Sequence, residues 1–361
     1  MKRASIALAV GLAMTAPQAL AEVDVGGAFR VNYAWKDYDD KNKDKGGEWD
    51  IELFRIDVNG SHEDWFYSAQ YRWYQDFEAI HHAYVGYNFD ENRAIKAGVT
   101  LVPFGILPVV SHSFWFGGGY YLGMEDDYDT GVVYQHKSGD WLFHAGYFHN
   151  AEYDNGDRFD RYSFDLAAVD GERADENNQL NLRAARTMPL AGGKLDLGVS
   201  LEAGRLYLNE QQKHEGRWQA ALHGDWNNDA GWNVQLQYAR QEYDTNTDTV
   251  TLSAFQFPFE VASEMDVVSF NVAKTFKVGN AFADSITCYN DHTQMLADGS
   301  GNDDSIQNVT GCLVAKGGLY TYVDWIAGKN MWFAGGNGVG LEAPGNDGWH
   351  SRLNINIGFY F

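Results

Sequence analysis

The final stretch of the chain, Leu353 to Phe361, alternates apolar and polar residues without a break. Leu353, Ile355, Ile357, Phe359 and Phe361 fall on one face; Asn354, Asn356, Gly358 and Tyr360 fall on the other. A period of two belongs to an extended strand whose faces meet different surroundings. The pattern recurs. Val23, Val25, Phe29, Val31, Tyr33 and Trp35 oppose Asp24, Arg30 and Asn32, and Phe54, Ile56 and Val58 oppose Arg55, Asp57 and Asn59. Trp65, Tyr67, Ala69, Tyr71 and Trp73 make a third run, Val85, Tyr87 and Phe89 a fourth, Ile95, Ala97 and Val99 a fifth. Runs through Tyr128–Tyr134 and Trp141–Tyr147 form a hairpin about Lys137–Asp140. Further strands centre near Leu182, Val199, Leu222, Leu236, Phe270, Ile286, Leu313, Val323 and Ile357, giving about sixteen in all.

The connections alternate in length. Those near 60–64, 90–93, 137–140, 188–193, 227–230, 277–280 and 316–318 read as short turns. Those near 36–48, 101–126, 150–176, 207–215, 242–264, 291–306 and 328–347 read as long loops, and 75–79 alone on that side is short. Short turns on one side and long loops on the other are the asymmetry of an outer-membrane barrel, with the turns in the periplasm. An even strand number puts both termini on the periplasmic side.

The other end of the chain agrees. Lys2 and Arg3 precede a mostly apolar run from Ala4 to Met14, and Ala19-Leu20-Ala21 supplies a small-residue cleavage site. Residues 1–21 are therefore expected to be a secretory signal peptide, leaving 22–361 as one domain in the outer membrane of a Gram-negative bacterium. Outside that leader no apolar run reaches the 18 or so residues a membrane helix needs. Only a closed sheet then satisfies every backbone group in lipid. The expected fold class is all-β: a transmembrane antiparallel β-barrel of about sixteen strands with a constricting third external loop.

Composition sharpens this picture. Aromatic residues make up 15% of the chain and Gly reaches 39 against 6 Pro, which suits long strands with aromatic girdles. A mean hydropathy of −0.42 does not oppose a barrel, because half of each strand faces a wet lumen. The net charge of −23 excludes nucleic acid as a partner, since phosphate binding needs a basic surface. Acidic clusters at Asp37–Asp44, Asp154–Asp165, Asp170–Glu176 and Asp298–Asp304 read as solvated loops. Cys288 and Cys312 flank Gly299-Ser300-Gly301 symmetrically, so in the oxidising periplasm they are expected to bridge across a hairpin. No Cys/His cluster has metal-ligand spacing, and neither a cofactor nor a resident metal is expected.

The connection from Leu101 to Asp126 is apolar and aromatic where its neighbours are acidic. A loop of that composition is expected to pack against something; by position it resembles the third external loop of trimeric porins, which folds into the barrel and narrows it. Pro103, Phe104 and Gly105 lead into it; Phe114, Trp115, Phe116, Tyr120 and Tyr121 offer either a stacking surface for sugars or other planar solutes or packing against the inner wall or a neighbouring subunit; Glu125, Asp126 and Asp127 end it. Strand parity turns Arg30, Arg55, Arg72 and Lys96 into the lumen, with Arg352 beside the first strand once the barrel closes. A basic wall facing an acidic loop would set a transverse field across a narrow aperture. Sixteen strands leave an aqueous channel rather than a filled interior.

Phe54-Arg55-Ile56-Asp57-Val58-Asn59-Gly60, and Lys96-Ala97-Gly98 followed by Val102-Pro103-Phe104-Gly105, resemble the phosphate-selective porin O and P family. The resemblance implies a sixteen-stranded homotrimeric porin with a constricting third loop. It does not carry phosphate selectivity, because 27 Lys plus Arg stand against 50 acids. The expected function is passive diffusion of small hydrophilic solutes and ions. A channel selective for sugars or small anions such as phosphate or carboxylates is the alternative, and a non-conducting adhesin or receptor barrel, or an outer-membrane hydrolase, the reading from another class. Against an enzyme, Ser111-His112-Ser113 and His81-His82 show no partner spacing. Expected partners are outer-membrane lipid, lipopolysaccharide, and the barrel-assembly machinery through the strand ending in Phe361.

Overall fold

The computed structural model describes residues 22–153, 158–167, 174–208, 211–245, 247–334, 338–342 and 348–361; the expected signal peptide lies outside them. Sixteen strands close into one antiparallel barrel. They are β1 (Glu22–Lys36), β2 (Glu48–His62), β3 (Trp65–Trp73), β4 (Glu78–Asp90), β5 (Arg93–Leu101), β6 (Tyr128–Ser138), β7 (Trp141–Ala151), β9 (Ala174–Leu190), β10 (Gly193–Leu208), β11 (Lys213–Asn228), β12 (Trp232–Tyr243), β15 (Glu264–Lys277), β16 (Ser285–Ala297), β17 (Ser305–Lys316), β18 (Leu319–Lys329) and β20 (Trp349–Tyr360). Four short strands, β8 (Asp165–Leu166), β13 (Thr249–Ala254), β14 (Phe257–Ala262) and β19 (Gly338–Val339), form a second sheet. All four belong to the long connections. No helix among the described residues is long and apolar enough to cross a membrane.

The burial pattern inverts that of a water-soluble protein. Leu182, Leu222, Leu236 and Phe270 are at least half exposed on the outer face, while Asn181, Ser200, Asn271 and Asn354 are almost fully buried inside. Transfer of one such Leu or Phe from water into hydrocarbon is worth about 2 kcal/mol, so this exterior is stable in lipid and not in water. β1 pairs with β20 from Ala28↔Tyr360 to Lys36↔Arg352, which closes the ring through the alternating terminal strand. Where Arg30 faces Leu53 and Val31 faces Ile51, β2 carries one extra residue, Glu52. That bulge frees Glu52 to pair with Arg30, whose Nη2 donates to Glu52 Oε1 at 2.8 Å.

Cys288 and Cys312 face each other across β16 and β17 and are bridged. Three connections differ from expectation: of the expected loop 291–306 only 298–304 lies outside strands, because β16 runs to Ala297 and β17 starts at Ser305. The 207–215 segment is mostly strand, because β10 runs to Leu208 and β11 starts at Lys213; the turn after β15 is longer than expected and ends only at Asp284.

Candidate functional site

The connection between β5 and β6, residues 102–127, runs through the barrel interior. Its backbone is tied to inward side chains of strands far from its own. Gly105 N–H donates to Ser200 Oγ at 3.0 Å and Ile106 N–H to Gln237 Oε1 at 3.0 Å. Asn271 Nδ2 donates to the Val110 carbonyl at 2.9 Å, Gly118 N–H to Thr293 Oγ1 at 3.1 Å, and Gln307 Nε2 to the Phe116 carbonyl at 3.0 Å. Those partners sit on β10, β12, β15, β16 and β17. A polar lumen can hold a loop this way because it offers unpaired donors and acceptors at every second residue.

One carboxylate holds the middle of the loop. Asp291 on β16 accepts from Ser111 Oγ at 2.8 Å, His112 N–H at 2.7 Å and Ser113 N–H at 2.9 Å, while its second oxygen meets His112 Nδ1 at 2.7 Å. Burial alone would lower the His112 pKa, but the bonding and charge of Asp291 outweigh it and raise it. Serine, histidine and aspartate thus do converge, which the sequence did not reveal. They are not arranged for nucleophilic catalysis: His112 Nε2 meets Asn233, the Ser111 hydroxyl turns to the carboxylate and the Ser113 hydroxyl to Ser111 Oγ, neither to the imidazole.

Between loop and wall lies a cavity of ≈ 440 Å³. Its basic side is Arg30, Arg55 and Arg72 on three adjacent strands, and Arg55 and Arg72 are direct cross-strand neighbours. Each guanidinium is held by a ring or a neighbour. Arg30 lies 5.1 Å from the Phe114 ring, Arg55 5.2 Å from Tyr360, and Arg72 4.3 Å from Tyr162; Arg55 Nε is 3.2 Å from Asp57. Arg352 lies 4.2 Å from the Trp115 ring. The opposite side is aromatic: Phe114, Trp115 and Phe116 from the crossing loop, with Phe255, Phe257 and Trp332 from the external loops.

The expected site residues divide. Arg30, Arg55 and Arg72 share the cavity with Phe114, Trp115, Phe116, Tyr120, Tyr121 and Asp126. Tyr120 and Tyr121 are buried within the loop, where they pack on Phe164. Lys96 stands apart, in a small pocket with Pro103 and Leu107 and 5.0 Å from the Tyr84 ring, and does not line the cavity of the three arginines. Phe104 is buried and Gly105 offers its carbonyl to Arg183. The acidic end of the loop does not confront the arginines as expected. Glu125 turns into the loop, accepting from Val110 N–H at 2.9 Å, and burial pushes its pKa up to about 7. Asp127 is buried too, its pKa pushed well up by burial and by Asp165, Glu176 and Glu202. Asp126 alone of the three reaches the cavity, where it accepts from Tyr162. Asp165 and Glu176, expected on solvated loops, are buried: Asp165 lies in the small sheet, and Glu176 is on barrel strand β9 with its side chain turned inward.

The wall also contains residues that carried no local signal: Tyr74, Tyr162 and Phe164 arrive from two other connections, and Phe255 and Phe257 from a third. Phe255-Gln256-Phe257-Pro258-Phe259 and Trp332-Phe333 are aromatic stretches in polar loops, the same cue that marked 101–126.

Among solved structures the chain is similar to OmpF of Salmonella typhi, at 14% identity, covering 94% of this chain and 97% of that one with a TM-score of 0.63. It is similar to the outer membrane channel DcaP of Acinetobacter baumannii, at 12% identity, 96% and 99% coverage, and a TM-score of 0.60. An anion-selective porin from Comamonas acidovorans matches at 11% identity, 95% and 100% coverage, and a TM-score of 0.56. The fold is that of the outer-membrane porins. No protein-family model and no curated protein matches the chain, so the likeness to phosphate-selective porins rests on the two short motifs alone.

Proposed function

We propose that this porin-fold chain is an outer-membrane channel through which small hydrophilic solutes and ions diffuse passively, narrowed by residues 102–127. The observation that carries this reading is the crossing loop itself, bonded to inward side chains on the far wall of a sixteen-stranded barrel. An adhesin has no need of a loop ordered inside its lumen, and the Ser–His–Asp group lacks a nucleophile on the imidazole. Reconstitution into a planar bilayer tests it: stepwise conductance is expected, and silence from folded protein rejects the channel.

The alternative of selectivity for small anions is favoured by one feature. Like charges directly opposite on neighbouring strands destabilise a sheet, yet Arg55 and Arg72 are paired in this way at the cavity. A passing phosphate or carboxylate would relieve that repulsion and accept bidentate bonds. Under a salt gradient the wild type is expected to prefer anions. Replacing both residues by Gln (Arg55→Gln, Arg72→Gln) should move the reversal potential toward cations; an unchanged potential rejects the role of this wall.

The chain functions in lipid and beside lipopolysaccharide, as a homotrimer inserted by the assembly machinery that reads the strand ending at Phe361. Support for a second copy comes from the outer face. Asn290 donates to Asn308 and Thr310 at 2.9 and 2.7 Å in mid-strand, between Val272 and Trp325 on the flanking strands. Polar groups there are costly against lipid and are satisfied against another subunit.

A further inference from the structure

We infer that Asp127, Asp129 and Asp165 form a binding site for one hard divalent cation, Ca²⁺ or Mg²⁺ in class. Each offers a carboxylate oxygen, and these oxygens all lie within 4.8 Å of one another. Oxygens bound to one Ca²⁺ at about 2.4 Å can be no more than about 5 Å apart, so this spacing suits a shared ion. No His or Cys is in the set, which excludes the softer transition metals as the preferred ligand.

The second observation is the lack of donors. All three side chains are more than nine-tenths buried, and Asp127 Oδ1 and Asp129 Oδ1 meet no hydrogen-bond donor among the described residues. The nearby arginines are committed elsewhere. Arg161 gives its bonds to the carbonyls of Ser253, Asp165 and Leu166 at 3.1, 3.0 and 2.7 Å, and comes only within 3.5 Å of the Asp165 carboxylate. Arg217 is shared by Glu176 and Glu202 at 3.0 Å each. Glu152 is also buried against this group, one oxygen taking the N–H groups of Tyr162 and Ser163 and the side chain lying against the Asp165 carboxylate, with no N–H donor to its second oxygen among the described residues. Among the described residues carboxylates thus outnumber guanidiniums in a dry place, an arrangement that costs several kcal/mol unless a cation joins it.

Its position gives the ion a task. Asp127 ends the crossing loop, Asp129 opens β6, and Asp165 lies in the small sheet made by the external loops. One cation would therefore tie the loop that crosses the lumen to the sheet above it. The inference does not depend on what the channel passes.

Calorimetry on the folded, lipopolysaccharide-free barrel in detergent, after chelation, tests it with Ca²⁺ and Mg²⁺ as the only additions. Saturable uptake of one ion per chain is expected, with a higher Tm when loaded. Asp127→Asn and Asp129→Asn are each expected to weaken uptake about tenfold or more, each removing one ligand charge. If Asp129→Asn does not fold, Asp127→Asn carries the test, because Asp127 lies outside the barrel ladder. No saturable uptake by folded wild type overturns the site, as protons then neutralise the cluster. Unchanged affinity in the folded variants overturns it equally, placing any ion elsewhere.

Discussion

Glu125 shows how one buried carboxyl can make the crossing loop sensitive to pH. One of its oxygens accepts from Val110 N–H and the other meets no donor among the described residues. Burial is the main cause of its elevated pKa, with Asp126 and Asp291 adding like charge. A carboxyl that titrates near 7 when seated and near 4.5 when released holds its proton more tightly in the seated state. The seated loop is therefore most stable below about pH 4.5 and loses about 3 kcal/mol as pH rises through 7. Open-channel noise and mean conductance in a bilayer should both rise between pH 5 and pH 8. Glu125→Gln, which cannot ionise, should flatten that dependence; an equally steep profile in the variant would assign the effect to another group. Arg72 illustrates a different residue-scale point. Held over Tyr162 and donating to Tyr74 at 3.3 Å, it is ordered by rings and hydroxyls, which leaves its charge available to the cavity.

The crossing loop is the element on which the channel reading turns, and its hold on the barrel is concentrated at β16. Asp291 receives bonds from three successive loop residues, Ser111, His112 and Ser113. Asp291→Ala removes all of them while leaving the strand ladder intact. The loss should be roughly 2–4 kcal/mol of loop seating, since bonds to a charged acceptor are the stronger kind. Single-channel conductance should increase and become unsteady, with the barrel's own melting little changed. An identical conductance trace would mean that the loop is held by its aromatic packing alone. The small sheet of β8, β13, β14 and β19 is the second element with a functional consequence, because it carries Phe255 and Phe257 to the cavity. Its strands come from three connections, and each is too short to persist without the others.

At the scale of the whole molecule, the proposed trimer would meet through the outward polar cluster of Asn290, Asn308 and Thr310. Asn290→Leu with Asn308→Leu would suit lipid better, yet it should reduce the mass of the detergent-solubilised particle from trimer to monomer. A trimer that survives both changes would move the contact to another face. Most of the architecture was legible in the chain. Alternation such as Leu353–Phe361 names which face meets lipid, because a period of two is imposed by the extended backbone whatever the neighbours are. Most turn positions, though not the full length of the one after β15, and the pairing of Cys288 with Cys312 followed from the same local geometry. The apolar composition of 101–126 announced a loop that packs, but not where. Its partners Ser200, Gln237, Asn271 and Asp291, the arrival of Tyr162 and Phe255, the separation of Lys96, and the burial of Glu125, Asp127 and Asp165 came only from the closed barrel. Strand identity is a short-range property, written residue by residue in polarity. Which loop side chains converge depends on long-range contacts that exist only after the ring has closed, and no local pattern encodes them.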